Sequence, residues 1–374
     1  MTFSPGRCAP ASLLLAAALA LGACSADPAD PGLVEGNYRA QADRAMQALE
    51  LSYLEGVGLF GFGWWNSANA LETTIDYSLH TDSEQYLYLI GNTFDRNADG
   101  ESINPNEDFL NELYDDEGWW ALAWIKAYDL TGERRYLEMA QTIFDDIAGG
   151  WDEVCGGGVW WSKERHYKNA ITNELFLSIA ARLHQRTSAD GEGTVYLEWA
   201  EREWEWFSAS GMINDSSLVN DGLSDDCGNN GQTAWSYNQG VILGGLVDMF
   251  QITGDDSFLS QAEAIATAAM QELVTSDGIL TDPCEPDCDD NGAQFKGIFM
   301  RNLSYLDETA PGPEYQDFIR RNADSIFARA TSDAGEIGLM WYAPFDRADP
   351  IRQSSGLDAI NAAIPFTAPV ARRR

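Results

Sequence analysis

The chain has 374 residues, a formal net charge of −36 at pH 7 and 11% aromatic residues. That length suits either two ordinary domains or one large helical ring, and no Pro/Ser/Gly-rich linker divides it. The negative charge excludes nucleic acid as a partner, because phosphate binding needs the opposite sign, and it repels acidic polysaccharides while leaving neutral glycans open; a solubilising acidic surface explains most of it by itself.

At the start of the chain Arg7 precedes a short apolar run, Leu13 to Leu21. The run is too short to span a bilayer and has the length of a signal-peptide core. Leu21-Gly22-Ala23-Cys24 resembles a bacterial lipobox. On that reading residues 1–23 are a signal peptide, Cys24 is lipidated, residues 24–34 are a tether and residues 35–374 form one domain. The expected setting is then a bacterial envelope, with membrane contact only through the N-terminal lipid. The alternative is an ordinary signal peptide with an incidental cysteine. No later segment is long and apolar enough to cross a membrane.

Asp95-Arg96-Asn97-Ala98-Asp99-Gly100 resembles the start of a calcium loop. Asp95, Asn97 and Asp99 fall at positions one, three and five and the glycine at six, but position twelve is Asn106, with Glu107 one later. A plain turn is the competing reading. Any calcium here would stiffen the loop before residue 115 and take no part in chemistry.

Leu113-Tyr114-Asp115-Asp116-Glu117-Gly118-Trp119-Trp120 stands before an apolar helix. Glycosidic cleavage needs two carboxyl groups with different roles, about 5–5.5 Å apart for retention and about 6.5–9.5 Å apart for inversion. Adjacent α-carbons lie about 3.8 Å apart, and neighbouring side chains on a helix diverge by about 100°. Two short Asp side chains reach the retaining separation readily, so Asp115 and Asp116 predict retention. A helix N-terminus favours an ionised carboxylate, while two neighbouring carboxylates resist double ionisation, so one should keep its proton near neutrality. The residues alone do not say which. Ordinary capping by these acids is the competing reading.

Beyond the pair, the pattern is helical and repeating. Tyr136-Leu137-Glu138-Met139-Ala140, Tyr196-Leu197-Glu198-Trp199-Ala200 and Phe258-Leu259-Ser260-Gln261-Ala262 each open an amphipathic helix, roughly sixty residues apart. Leu130-Thr131-Gly132-Glu133 and Ile252-Thr253-Gly254-Asp255 supply a glycine stop and an acidic start. Trp119 to Tyr128, Asn173 to His184 and Gln239 to Phe250 are apolar on nearly every side and should be inner helices. About six such pairs predict an all-α (α/α)6 barrel, with a solenoid as the alternative. Gly/Trp-rich loops clustering around one mouth favour the closed form.

Cys155, Cys227, Cys284 and Cys288 form an even set suited to disulfides in an exported protein. Of three connectivities, Cys155–Cys227 with Cys284–Cys288 is favoured; a metal site lacks nearby histidines. Asn69, Asn169, Asn173, Asn238 and Gln239 are candidates to bond sugar hydroxyls, with helix capping or backbone satisfaction as the alternative. Trp119 and Tyr237 are candidates for the wall of a sugar subsite. Gly156-Gly157-Gly158 is no phosphate loop, since no GK[ST] follows.

The run Tyr114 to Trp124 resembles the signature of glycoside hydrolase family 76, the endo-α-1,6-mannanases. Trp64-Trp65-Asn66-Ser67-Ala68-Asn69-Ala70, Cys155-Gly156-Gly157-Gly158-Val159-Trp160-Trp161, Tyr167 to Leu175, Tyr237-Asn238-Gln239-Gly240, Phe295 to Phe299 and Gln353 to Leu357 agree in order. The likeness covers about residues 35–365. It implies an (α/α)6 barrel, retaining chemistry, α-1,6-mannan as substrate, Asp115 as nucleophile, Asp116 as acid/base and no required cofactor. A monomer is expected. The competing functions are a transglycosidase on α-mannose glycans, a non-catalytic mannan-binding surface protein and an enzyme of uronic-acid glycans, the last disfavoured by the charge.

Overall fold

The computed structural model describes residues 36–367 apart from Phe62, 100–107, 189, 190 and 192. Cys24, the expected signal peptide and the tether lie outside the described residues. Among the described residues twelve α-helices follow in order: α1 Tyr38–Glu50, α2 Trp64–Thr81, α3 Leu87–Asn97, α4 Tyr114–Thr131, α5 Arg134–Ala148, α6 Ala170–Thr187, α7 Gly193–Ala209, α8 Ser236–Thr253, α9 Asp256–Glu272, α10 Phe295–Thr309, α11 Pro313–Ser325 and α12 Pro350–Ala363.

The even-numbered helices form the inner layer. Each packs on the next, and α12 returns to α2. That contact closes a ring and rules out a solenoid, so the fold is the (α/α)6 barrel. Asp358 Oδ1 accepts from Thr73 Oγ1 at 2.7 Å and Asn361 Nδ2 donates to the Thr73 carbonyl at 3.0 Å across the seam. The hydrophobic pattern explains the layers. In α8 thirteen residues are buried, on every side. In α5 burial is confined to one stripe, Tyr136, Leu137, Met139, Ala140, Ile143, Phe144 and Ile147, which faces the ring. Gly132 and Gly254 end α4 and α8 with φ of 72° and 70°, as the two turns predict. At Gly240 a Cβ would lie 2.6 Å from the Phe299 α-carbon, so only glycine lets α8 and α10 approach this closely.

The inner helices run in one direction. Asp76, Lys126, Arg182, Asp248, Tyr305 and Asn361, each from the C-terminal half of a different inner helix, meet around one cavity of about 270 Å³. Cations suit that end, where the helix dipoles are negative. Lys126 pairs with Asp76 and Glu72, Arg301 with Glu72 and Asp358, and Arg182 with Asp248. The N-termini gather at the opposite end, together with the loops that follow the outer helices.

Those loops are fixed by a recurring device. The fourth residue of an inner helix accepts a backbone N–H from the preceding loop: Ser67 from Phe60 at 3.1 Å, Glu117 from Asn111 at 2.8 Å, Asn173 from Val159 at 2.7 Å, Gln239 from Val219 at 2.8 Å and Gln353 from Ile337 at 2.8 Å. Only α10, with Ile298 at that position, lacks it. The loops are buried beneath the rim and would otherwise leave these donors unpaired. Disulfides join Cys155 to Cys227 and Cys284 to Cys288.

The calcium-loop expectation is corrected. Asp95 and Asn97 lie in the last turn of α3, so their side chains diverge instead of converging as in an extended loop. Asp95 pairs with Arg135 at 2.6 Å, and Asn97 is turned into the core, donating to the Thr93 carbonyl at 2.8 Å. Asp99 lies just past the helix end; Gly100, Asn106 and Glu107 lie outside the described residues. Among the described residues no cluster of three metal-ligating side chains occurs, and no helix is long and apolar enough to cross a membrane.

Candidate active site

The start of α4 is held by a short backbone pairing. The Tyr114 amide donates to the Trp161 carbonyl at 2.9 Å, and the Lys163 amide to the Glu112 carbonyl at 3.1 Å. Leu113 occupies the cap position and its side chain caps nothing, so Tyr114, Asp115 and Asp116 are the first three helical residues. Asp115 and Asp116 are therefore not the N-cap, and neither is fully buried.

Asp115 Oδ1 accepts from the Asp116 amide at 3.0 Å, and Oδ2 from Trp161 Nε1 at 2.9 Å. Asp116 Oδ2 accepts from Asn111 Nδ2 at 2.8 Å, while Asn111 Oδ1 takes the Leu113 amide at 2.7 Å. Among the described residues no cation pairs with either acid. Burial within the rim, and then the charge of Asp116, push Asp115 up to about 8. Burial pushes Asp116 up to about 6 against the hydrogen bond from Asn111. The third acid serves the scaffold instead. Glu117 is fully buried, receives the Asn111 amide and pairs with Lys163 at 3.1 Å. Burial raises it to about 8 as well.

Beside the pair lies an aromatic row. Trp65 stacks on Trp119 at 5.7 Å, Trp119 on Tyr237 at 6.4 Å and Tyr237 on Phe295 at 3.9 Å. Tyr237 is partly exposed and sits between charges: burial first, then Asp221 and Asp115, raise its phenol well above the usual value. Asp221 is itself held by the Tyr167 hydroxyl and by Trp235 Nε1 at 3.1 Å. Trp119 is a correction. At 2% exposure it is sandwiched between Trp65 and Tyr237 behind the surface, because a residue on this inner face of α4 points into the ring.

Four of the five amide candidates, Asn69, Asn169, Asn173 and Gln239, are corrected. Asn69 is buried and accepts from Arg301 Nη2 at 2.7 Å inside the barrel. Asn169 caps α6 by accepting from the Thr172 amide. Asn173 grips both sides of the Val159 peptide edge and Gln239 both sides of Val219. Asn69, Asn169, Asn173 and Gln239 thus serve the scaffold. Asn238 is wholly buried, and neither its amide nitrogen nor its amide oxygen has a hydrogen-bond partner among the described residues. Trp161, Asn111 and Asp221 are what sequence reasoning passed over. Trp161 carried no periodic signal: it lies two positions from Val159, the same side of an extended segment, yet Val159 is buried and Trp161 is 37% exposed. Asn111 and Asp221 sit in loops without periodicity.

Chemically, the arrangement offers two adjacent carboxyls that hold one proton between them near neutrality, beside a partly exposed aromatic surface. Comparisons with known proteins agree with that chemistry. A family model described as "Glycosyl hydrolase family 76" matches residues 38–371. A putative mannan endo-1,6-alpha-mannosidase of Schizosaccharomyces pombe is 30% identical over 302 residues, 75% of this chain and 67% of that protein. Mannan endo-1,6-alpha-mannosidase DFG5 of Candida albicans is 28% identical over 348 residues, 84% of this chain and 75% of that protein. The solved GH76A alpha-1,6-mannanase of Salegentibacter superposes with a TM-score of 0.77 at 26% identity, covering 88% of this chain and 99% of that one. The matching curated relatives are fungal. That finding overturns the expected setting on a bacterial envelope through a lipid on Cys24, which is withdrawn.

Proposed function

The chain belongs to glycosyl hydrolase family 76, and from that membership as a mannan-cleaving glycoside hydrolase we propose that it cuts α-1,6-mannosidic bonds within mannan chains with retention. The observation that carries this reading is the pair itself: two acids on consecutive residues at a helix N-terminus, bonded to Trp161, Asn111 and backbone, with no cation paired to them among the described residues. Consecutive placement suits the short separation of a retaining enzyme and leaves little room for a water between the acids. The names of the relatives, mannan endo-1,6-alpha-mannosidase and alpha-1,6-mannanase, support the linkage.

In the proposed sequence Asp116 gives its proton to the departing glycosidic oxygen as Asp115 attacks the anomeric carbon. The new mannosyl–Asp115 ester is then opened by water, whose proton returns to Asp116. The pKa directions taken alone would leave the shared proton on Asp115. Two N–H donors point at Asp115 and one at Asp116, and burial outweighs them at both, so the assignment of Asp115 as the attacking anion rests on the family resemblance.

Debranched α-1,6-mannan is the test substrate. Short α-1,6 oligosaccharides, released first as the α-anomer by proton NMR, are the expected products, and Asp115→Asn should abolish them. Release of mannose alone overturns endo action, and β-anomer overturns retention. An added acceptor sugar that appears in the products would mark transfer in place of hydrolysis.

A further inference from the structure

We propose that Trp161 is both the positioning residue for Asp115 and an aromatic platform for the mannosyl unit next to the one attacked, an inference that rests on the reading of function above. The backbone of Trp161 is fixed before its side chain is considered. Its amide donates to the Tyr167 carbonyl at 2.7 Å, and its carbonyl receives the Tyr114 amide, the residue directly before Asp115. The neighbouring residues are pinned too, Ser162 by an antiparallel bridge to Leu113 and Val159 by Asn173. The indole therefore starts from a rigid strand-like segment paired with the nucleophile's own turn, and its Nε1 reaches Asp115 Oδ2 at 2.9 Å.

A tryptophan used only as a donor would be buried, and one used only for packing would be buried too, with its N–H paired to the scaffold as Trp206 is to the Cys155 carbonyl at 3.0 Å. Trp161 is neither. Its N–H is committed to the carboxylate while 37% of the residue stays open to solvent. Among the described residues it is the only exposed large aromatic side chain in contact with the pair. Trp119, the aromatic that the sequence offers for this duty, is sealed behind Trp65 and Tyr237. An indole with its N–H on a charged group and part of its surface in water is an amphipathic surface of the kind that sugar rings cover.

The two duties separate by substitution. Trp161→Phe keeps a ring and deletes the N–H, whereas Trp161→Ala deletes both. Loss of a donor to the carboxylate disfavours its charged form. The carboxyl carbon of Asp115, assigned in 13C spectra by its absence from Asp115→Asn, should titrate about one unit higher in both variants. The bell-shaped rate profile should shift to higher pH with it, with kcat down about tenfold in both. KM on α-1,6-mannan oligosaccharides should stay near wild type in Trp161→Phe and rise about tenfold in Trp161→Ala, the size of one lost aromatic contact. An unshifted Asp115 titration overturns the positioning role. Equal KM values in the two variants overturn the platform. The titration needs no substrate, so a wild-type enzyme inert on α-mannan would sink the reading of function and the platform with it, while the positioning role is still decided by the carbon spectra.

Discussion

At the scale of single residues, the pair makes a pH prediction. Attack requires Asp115 ionised and Asp116 protonated, a state holding one proton. Burial raises both groups, to about 8 and about 6. Below the lower value both acids are protonated and no nucleophile remains; above the upper value both are ionised and no acid remains. kcat/KM should therefore be bell-shaped with limbs near 6 and 8, values that belong to the pair and not to either acid. In Asp116→Asn the neighbouring charge is gone, so the Asp115 carboxyl should titrate lower than in the wild type; a higher value would contradict electrostatic coupling between them. The pair was legible in the sequence because adjacency is a sequence property. Its partners were not: Trp161 lies 46 positions from Asp115 along the chain, and their bond depends on a loop pairing with no periodic signature.

At the scale of elements, the same logic explains the amides. Polar side chains at Asn173 and Gln239 stand beside aromatic motifs and read as sugar ligands. The structure gives them to the backbone, since a loop tucked under the rim must place every N–H and C=O. Gln239→Ala leaves the Val219 amide and carbonyl unpaired in a buried site. The expected cost is about 1–3 kcal/mol, read as a lower midpoint in urea with an unchanged slope. KM on mannan oligosaccharides should stay close to wild type at low temperature, whereas a sugar ligand would raise KM without loss of stability. Glu117 belongs to this set despite its acidic neighbours. Three consecutive acids offered no hint that the third takes the Asn111 amide while the first two face the rim.

At the scale of the whole molecule, the repeat was visible and its closure was not. Aromatic-Leu starts every sixty residues announce helix pairs. Only the packing of α12 on α2, through Thr73 with Asp358 and Asn361, distinguishes a ring from an open stack, and those residues are some 285 positions apart. Outer helices such as α11 are too polar to stand out by hydrophobicity alone. The disulfides act at this scale. Cys155–Cys227 spans 72 residues and ties the loop after α5 to the loop before α8, while Cys284–Cys288 spans four. Constraint of the unfolded chain grows with the enclosed length, so Cys155→Ser with Cys227→Ser should cost about 2–4 kcal/mol. Paired replacement at 284 and 288 should change the melting temperature far less; comparable losses from the two would refute a chain-entropy origin.

The latches on the inner helices carry a consequence for how this scaffold can change. Each fastens the loop that precedes its helix from beneath, although Glu117 also pairs with Lys163 of the following loop and Gln353 also donates to the Ala45 carbonyl of α1. A rim segment can then be lengthened, shortened or transplanted beyond its fastened residue while the cylinder below keeps its shape. New substrate preferences are open to one-segment-at-a-time exploration, by natural drift or by a protein engineer, with the acids on α4 left where they are.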